Sequence, residues 1–103
     1  MKTFIKVASV REIPDNQGKA VAVGDTSVAV FQVNGQFCAV ANTCPHRGAS
    51  LAEGDVEGTV VTCPWHGWQF DLITGQSPVN PAAKIITYPC RVDGDSISIS
   101  MEP

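Results

Sequence analysis

The most constraining feature of this 103-residue chain is a pair of short segments that each carry one thiol and one imidazole. The first segment, ANTCPHRGAS, holds Cys44 and His46, and the second, VVTCPWHGWQF, holds Cys63 and His66. Sixteen residues lie between His46 and Cys63. Two thiolates and two neutral imidazoles are good ligands for iron or zinc. The pattern therefore predicts two loops, presented side by side, that share one metal centre.

The order of the ligands, Cys-x-His followed by Cys-x2-His, is what a [2Fe–2S] centre needs when its two irons have different ligand sets. Proline follows each of these two cysteines, and Gly48 and Gly67 lie beyond the histidines. These glycines permit either a tight backbone turn or a close approach to sulfur that a Cβ would block. The segments TCPHRGASL and TCPWHGWQFDLITG closely resemble the two cluster-binding loops of Rieske-type ferredoxins that supply electrons to bacterial ring-hydroxylating oxygenases. The resemblance extends from Thr3 to Ser100.

This resemblance implies an all-β Rieske fold, with an antiparallel β-sandwich base and a small cluster-binding subdomain. It places the subdomain at about residues 43–71 of a single domain that spans residues 1–103. It also implies that one [2Fe–2S] cluster is held by four ligands. Cys44 and Cys63 would bind the inner iron, while His46 and His66 would bind the outer iron and leave one edge of each ring exposed as the electron route.

Replacing two thiolates by two neutral imidazoles makes the cluster less negative, so an electron is added to it more easily. Rieske centres accordingly span roughly −150 to +300 mV, against about −400 mV for plant-type ferredoxins. Quinol-oxidising Rieske proteins carry further cysteines and a hydroxyl near the cluster, where this chain has Ala49, Trp65 and Trp68. Fewer hydrogen bonds to the cluster should lower the potential, so the sequence favours the low-potential ferredoxin branch. Because each histidine ring also has a titratable N–H, we expect the potential to fall at alkaline pH.

The resemblance implies a one-electron carrier that receives electrons from a flavin-dependent reductase and passes them to a terminal oxygenase in aromatic-ring hydroxylation. The alternative is a small Rieske subunit of a nitrite-reductase-like complex. A catalytic oxygenase is excluded, because its second, mononuclear iron site needs further histidines and the chain has only two. A structural zinc site remains a weak alternative, since zinc sites usually open with Cys-x2-4-Cys.

Composition limits the partners and the compartment. A net charge of −3 argues against nucleic acid. No apolar run is long enough for a membrane span. The first ten residues alternate polar and apolar residues, so we expect a first strand there and not a signal peptide. We therefore expect a cytoplasmic protein that is monomeric in isolation, and we interpret Cys38 and Cys90 as plain buried thiols.

Two features near the ligand loops are each consistent with two interpretations. The acidic residues Glu53, Asp55 and Glu57 form either a solvated loop or a docking face for a basic redox partner. Trp65 either docks a partner or covers the cluster. Trp68 and Phe70 are predicted to pack against the base of the loop.

The rest of the chain predicts many short strands and no long helix. Strands are expected at the following segments: Thr3–Ala8, Lys19–Val23, Ser27–Val33, Phe37–Ala41, Thr59–Thr62, Trp68–Asp71, Lys84–Tyr88 and Ser96–Ser100. Asn34-Gly35 predicts a two-residue hairpin turn of type I′, because both residues accept positive φ angles.

Overall fold

A computed structural model describes residues 3–43, 50–64, 67–79 and 82–101. This part of the chain contains ten β-strands, all paired antiparallel, and two 3₁₀-helices of three residues each, Val10–Glu12 and Leu51–Glu53. The all-β prediction is therefore confirmed. Within the described residues, no helix has the length and apolar character of a membrane span.

The strands form three sheets. The terminal sheet has the order β1-β10-β9, from β1 (Ile5–Ser9), β10 (Ser96–Ile99) and β9 (Cys90–Asp93). The central sheet has the order β2-β3-β4-β8, from β2 (Gln17–Val23), β3 (Thr26–Val33), β4 (Gln36–Ala41) and β8 (Thr87–Tyr88). The loop sheet has the order β5-β6-β7, from β5 (Asp55–Glu57), β6 (Val60–Thr62) and β7 (Gln69–Asp71).

The central sheet lies between the other two, and this explains the composition of β3. Val28 and Val30 belong to one hydrophobic cluster with Ile97 and Ile99 of the terminal sheet. The intervening positions of β3 belong to a second cluster, which contains Ala29, Phe31, Val33, Leu51, Val61, Cys63, Phe70 and Leu72. Because successive side chains of a strand point to opposite faces, the part of β3 that is buried on both faces, residues 28–31, is apolar at every position.

The turn between β3 and β4 agrees with the sequence prediction. Asn34 has φ 51° and Gly35 has φ 78°, and Val33 pairs directly with Gln36. Both central residues therefore have the positive φ angles that a type I′ turn requires. The turn fixes the register of β4, and thereby the position at which the chain leaves the sheet toward Cys44.

Three segments differ from the strands that the sequence predicts. Asp55–Glu57 forms a strand, because Val56 is half-buried against the core and pairs with Val61. The predicted strand at Lys84–Tyr88 is reduced to β8, and the chain changes sheets at Pro89, which lacks the N–H needed to continue a ladder. The sequence does not predict β9 (Cys90–Asp93) either. The strand β5 has only three residues, too few for an alternating pattern to be recognised.

Candidate metal centre

The structure describes one of the four predicted ligands and the residues that flank both ligand loops, which we call the loop bases. The first base comprises residues 42–43 and 50–54, and the second comprises residues 61–63 and 67–70. Cys63 directly follows β6 and is only 2% exposed. Cys44, His46 and His66 lie outside the described residues, as do Pro45, Gly48 and Trp65. Within the described ranges no three His, Cys, Asp or Glu side chains come together as metal ligands. The ligand set therefore remains a prediction.

The first loop is closed by backbone contacts on either side of residues 44–49. Thr43 and Ser50 form an isolated antiparallel bridge. The Leu51 N–H donates to the carbonyl oxygen of Asn42 at 2.8 Å. The chain thus leaves β4 and returns to the same point, so that Cys44 and His46 belong to a loop whose two ends are joined.

The side chain of Asn42 strengthens this closure, and the sequence analysis missed it. Its Oδ1 accepts hydrogen bonds from Ser50 Oγ at 3.1 Å and from the Ala52 N–H at 2.9 Å, while Nδ2 donates to Ser27 Oγ at 3.0 Å. Asn42 is buried, at 6% exposure. The available signal was its position, since Asn at the end of a strand often bonds to nearby backbone groups.

The second loop is closed in a different way. The Cys63 N–H donates to the carbonyl oxygen of Trp68 at 2.6 Å, and Gly67 has φ 73°. The predicted backbone turn at Gly67 is therefore confirmed. Phe70 is fully buried, and the half-buried Trp68 lies with its ring centroid 6.5 Å from that of Phe70. The predicted packing of both aromatic residues against the loop base is also confirmed.

The bases of the two loops meet at Gly54. A Cβ on this residue would lie 2.2 Å from the backbone oxygen of Thr62, the residue before Cys63. Leu51, at the return of the first loop, shares a hydrophobic cluster with Val61 and Cys63. The two bases therefore lie against each other, while the side-by-side arrangement of the loops themselves stays a prediction.

This arrangement fits a [2Fe–2S] group. Thiolates are the ligands that iron–sulfur clusters use, and a buried thiolate needs a cation or hydrogen bonds to be stable. Cys63 lies where solvent is excluded, at the junction of the two bases, as expected of a ligand to the inner iron. Cys44, His46 and His66 would supply the other three ligands from the closed loops.

The remaining cysteines have a different environment. Cys38 and Cys90 are free, half-buried thiols. Burial, followed by the nearby Asp71, raises the pKa of Cys38. Burial, followed by Cys38 itself, raises the pKa of Cys90 to about 11. Both side chains are therefore protonated at neutral pH. They are half-buried, so their interpretation as plain buried thiols holds only in part.

The acidic residues between the loops are exposed. Asp55 and Glu57 alternate with half-buried Val56 along β5, so both project from the outer face of the loop sheet. Glu53 is exposed on the second 3₁₀-helix. Two of the three residues therefore belong to a strand and not to the loop that the sequence analysis considered.

Comparison with known proteins identifies the family. The model of the Rieske [2Fe-2S] domain matches residues 3–89. The chain belongs to the Rieske [2Fe–2S] domain family, and the family's cofactor is the cluster for which the two loops are suited. A ferredoxin component of naphthalene 1,2-dioxygenase/salicylate 5-hydroxylase systems from Ralstonia sp. is 31% identical over 102 residues, with 98% of each chain covered.

Solved structures agree with this assignment. A ferredoxin from Sphingomonas yanoikuyae B1 has a TM-score of 0.87 at 30% identity, with 96% of this chain and 99% of that chain covered. A chain in a complex of oxygenase and ferredoxin of carbazole 1,9a-dioxygenase has a TM-score of 0.86 at 29% identity, with 97% and 94% covered. A nitrite reductase small subunit from Mycobacterium tuberculosis has a TM-score of 0.91 at 23% identity, with 100% and 98% covered, and shows the fold alone.

Proposed function

We propose that this protein is the low-potential Rieske ferredoxin of a multicomponent oxygenase that hydroxylates aromatic rings. It receives single electrons from a flavin-dependent reductase and delivers them to the terminal oxygenase. The observation that carries the proposal is the match over 98% of both chains to the ferredoxin component of a ring-hydroxylating system. The protein is an electron carrier and not itself the oxygenase, because its relatives are carrier components and its two histidines are both assigned to the cluster.

The cluster, when bound, takes up and gives back one electron. The ligands are proposed to be Cys44, His46, Cys63 and His66, within a cluster-binding subdomain of about residues 43–71. The burial of Cys63 and the closure of both loops support this set. The chain's own contribution is to keep the bases rigid, so that little rearrangement accompanies each electron, and to exclude water on the side of Cys63.

The reduction potential tests the low-potential assignment. Film voltammetry of the purified holoprotein should give a one-electron wave near the lower end of the Rieske range, at about −150 mV. The absence of hydroxyl and further thiol groups at Ala49, Trp65 and Trp68 is the basis for this expectation. A wave several hundred millivolts higher would show that the partner is of another kind.

We also propose that the outer face of the loop sheet docks a basic redox partner. Asp55 and Glu57 are exposed there, and neither takes part in the two ion pairs of the described residues, Arg11–Asp95 and Lys19–Glu12. Attraction between exposed charges is screened by salt. Electron-transfer rates with purified reductase should therefore fall as ionic strength rises, and should fall less in the double variant Asp55→Asn/Glu57→Gln.

Asp93→Asn is the single-charge control for this experiment. It removes one exposed carboxylate from the terminal sheet, which the central sheet separates from the loop sheet. Its salt dependence should equal that of the unmodified protein. A flat rate profile for the unmodified protein would contradict an acidic docking face.

The nitrite-reductase-like alternative has support from the fold only. We further propose a cytoplasmic and monomeric protein, for which the free thiols Cys38 and Cys90 fit a reducing compartment. Size-exclusion chromatography with light scattering tests the monomer, and a mass near twice 10.9 kDa would contradict it.

A further inference from the structure

The side-chain amide of Asn42 connects the first ligand loop to the base of the molecule. Its Nδ2 donates to Ser27, at the start of the central sheet's β3, while its Oδ1 accepts from Ser50 and Ala52, where the loop returns. The backbone of Asn42 adds two more bonds, from its N–H to the Ser27 carbonyl oxygen and from the Leu51 N–H to its own. One residue thus joins both ends of the loop to a strand that is buried on both faces.

The burial of Asn42 makes these bonds consequential. A buried polar group that loses its partner keeps its desolvation penalty, so breaking such a bond destabilises more than an exposed bond would. Every buried side-chain nitrogen or oxygen of the described residues has a hydrogen-bond partner, and this includes both polar atoms of the Asn42 amide. The return of the loop therefore has one favourable position relative to β3.

We propose that Asn42 is a positioning residue for the iron–sulfur cluster, which sets the place of Cys44 and His46 without touching the metal. This inference rests on the proposed ligand set. It adds to the proposed function a residue that is not a ligand: the Asn42 amide stabilises the position of the loop that carries Cys44 and His46. Without the amide, the loop opens more often and the cluster is lost faster.

Two substitutions of Asn42 separate hydrogen bonding from size. Asn42→Leu keeps the branched shape and the number of side-chain heavy atoms and removes all three side-chain bonds. Asn42→Asp keeps them, because Ser27 Oγ, Ser50 Oγ and the Ala52 N–H are all able to donate to a carboxylate. If Asn42 positions the loop, the aspartate variant should behave like the unmodified protein and the leucine variant should not.

The experiment follows the loss of visible absorbance from the holoproteins after addition of an iron chelator. Asn42→Leu should lose the cluster about tenfold to a hundredfold faster, as expected when a buried bond is broken. Asn42→Asp should stay within about threefold of the unmodified protein. Ile97→Val is the control, because it removes a methyl group from the fully buried core between the terminal and central sheets, remote from both loops.

Hydrogen exchange by mass spectrometry gives a second readout. The peptide that contains residues 50–54 should exchange faster in Asn42→Leu holoprotein and at the unmodified rate in Ile97→Val. Equal rates of cluster loss in Asn42→Leu and Ile97→Val would overturn the positioning role. If Asn42→Leu yields no folded protein, Ser50→Ala replaces it, with cluster loss expected to be a few-fold faster and an unchanged rate overturning the proposal.

Cys44→Ser, prepared in parallel, distinguishes failure of this inference from failure of the proposed function. Loss of the normal cluster spectrum in Cys44→Ser supports the ligand set, and the Asn42 variants then decide the positioning role on their own. A normal spectrum in Cys44→Ser would overturn the ligand set and the positioning role together.

Discussion

The two loop bases hold similar pairs of predicted ligands, yet they are closed by different interactions. The first is closed by the polar contacts of Asn42 and by the Thr43–Ser50 bridge. The second is closed by the backbone hydrogen bond from the Cys63 N–H to the Trp68 carbonyl oxygen and by apolar packing around Phe70. Hydrogen bonds fix the relative orientation of the groups that they join, whereas apolar contacts supply most of the stabilising free energy of a core. We infer that the second base supports the fold and the first base supports the cluster.

The largest expected effect comes from removing the buried aromatic side chain of the second loop base. Phe70→Ala should lower the free energy of unfolding by about 3–5 kcal/mol, because a fully buried aromatic side chain is replaced by a cavity. Urea unfolding of the holoprotein, followed by circular dichroism, measures it. Ile73→Ala, at a half-exposed position just beyond β7, should change the value by less than about 1 kcal/mol. Similar losses in the two variants would contradict the assignment of stability to the second base.

The next-largest effect is expected at Gly54, where the two loop bases are in contact. Gly54→Ala places a Cβ 2.2 Å from the Thr62 backbone oxygen, so either the second 3₁₀-helix or β6 must shift. We expect a loss of about 1–3 kcal/mol, typical of overpacking, together with faster loss of the cluster to a chelator. The control is Gly58→Asn, since Gly58 has φ 62° with open space around it and Asn accepts this conformation. A Gly54→Ala variant as stable as Gly58→Asn would show that the bases do not depend on close contact.

A smaller effect tests whether another polar side chain that hydrogen-bonds to nearby backbone affects retention of the cluster as Asn42 is proposed to do. Asp71 ends β7, and its carboxylate accepts hydrogen bonds from Thr59 and from the N–H groups of Ile73 and Thr74. Asp71→Ala should lower the free energy of unfolding by about 1–2 kcal/mol without faster cluster loss, because this turn lies at the end of β7 remote from Cys63. Asp71→Asn keeps an acceptor oxygen and should be close to the unmodified protein. Rapid cluster loss in Asp71→Ala would remove the distinction between the two bases.

The smallest effect concerns a thiol outside both loops. Burial raises the pKa of Cys90 to about 11, above the ordinary thiol value near 9.0. The folded state therefore favours the neutral thiol, and this stabilisation is complete below about pH 9 and is lost as the pH rises toward 11. The unfolding free energy should fall over this range by less in Cys90→Ala than in the unmodified protein. Identical pH profiles would show that Cys90 does not contribute.

The sequence predicted local turns better than it predicted the contacts that support the ligand loops, and the ligand set itself stays a prediction. The ligand pairs, the turn at Asn34-Gly35 and the turn at Gly67 follow from residue types that have few alternatives. The role of Asn42 depends on Ser27, Ser50 and Ala52, which are distant along the chain or unremarkable in type. Likewise, the contact of Gly54 with Thr62 arises from tertiary packing, which no local pattern of residues encodes.

The central claim is that both loops contribute one histidine each to a single cluster. The chain contains only His46 and His66, so labelling all histidine with ¹⁵N marks these two rings and nothing else. Pulsed electron paramagnetic resonance of the reduced holoprotein should then show two strongly coupled ¹⁵N nuclei, one from each ring. Coupling to one nucleus or to none would contradict the claim that the two loops share the cluster.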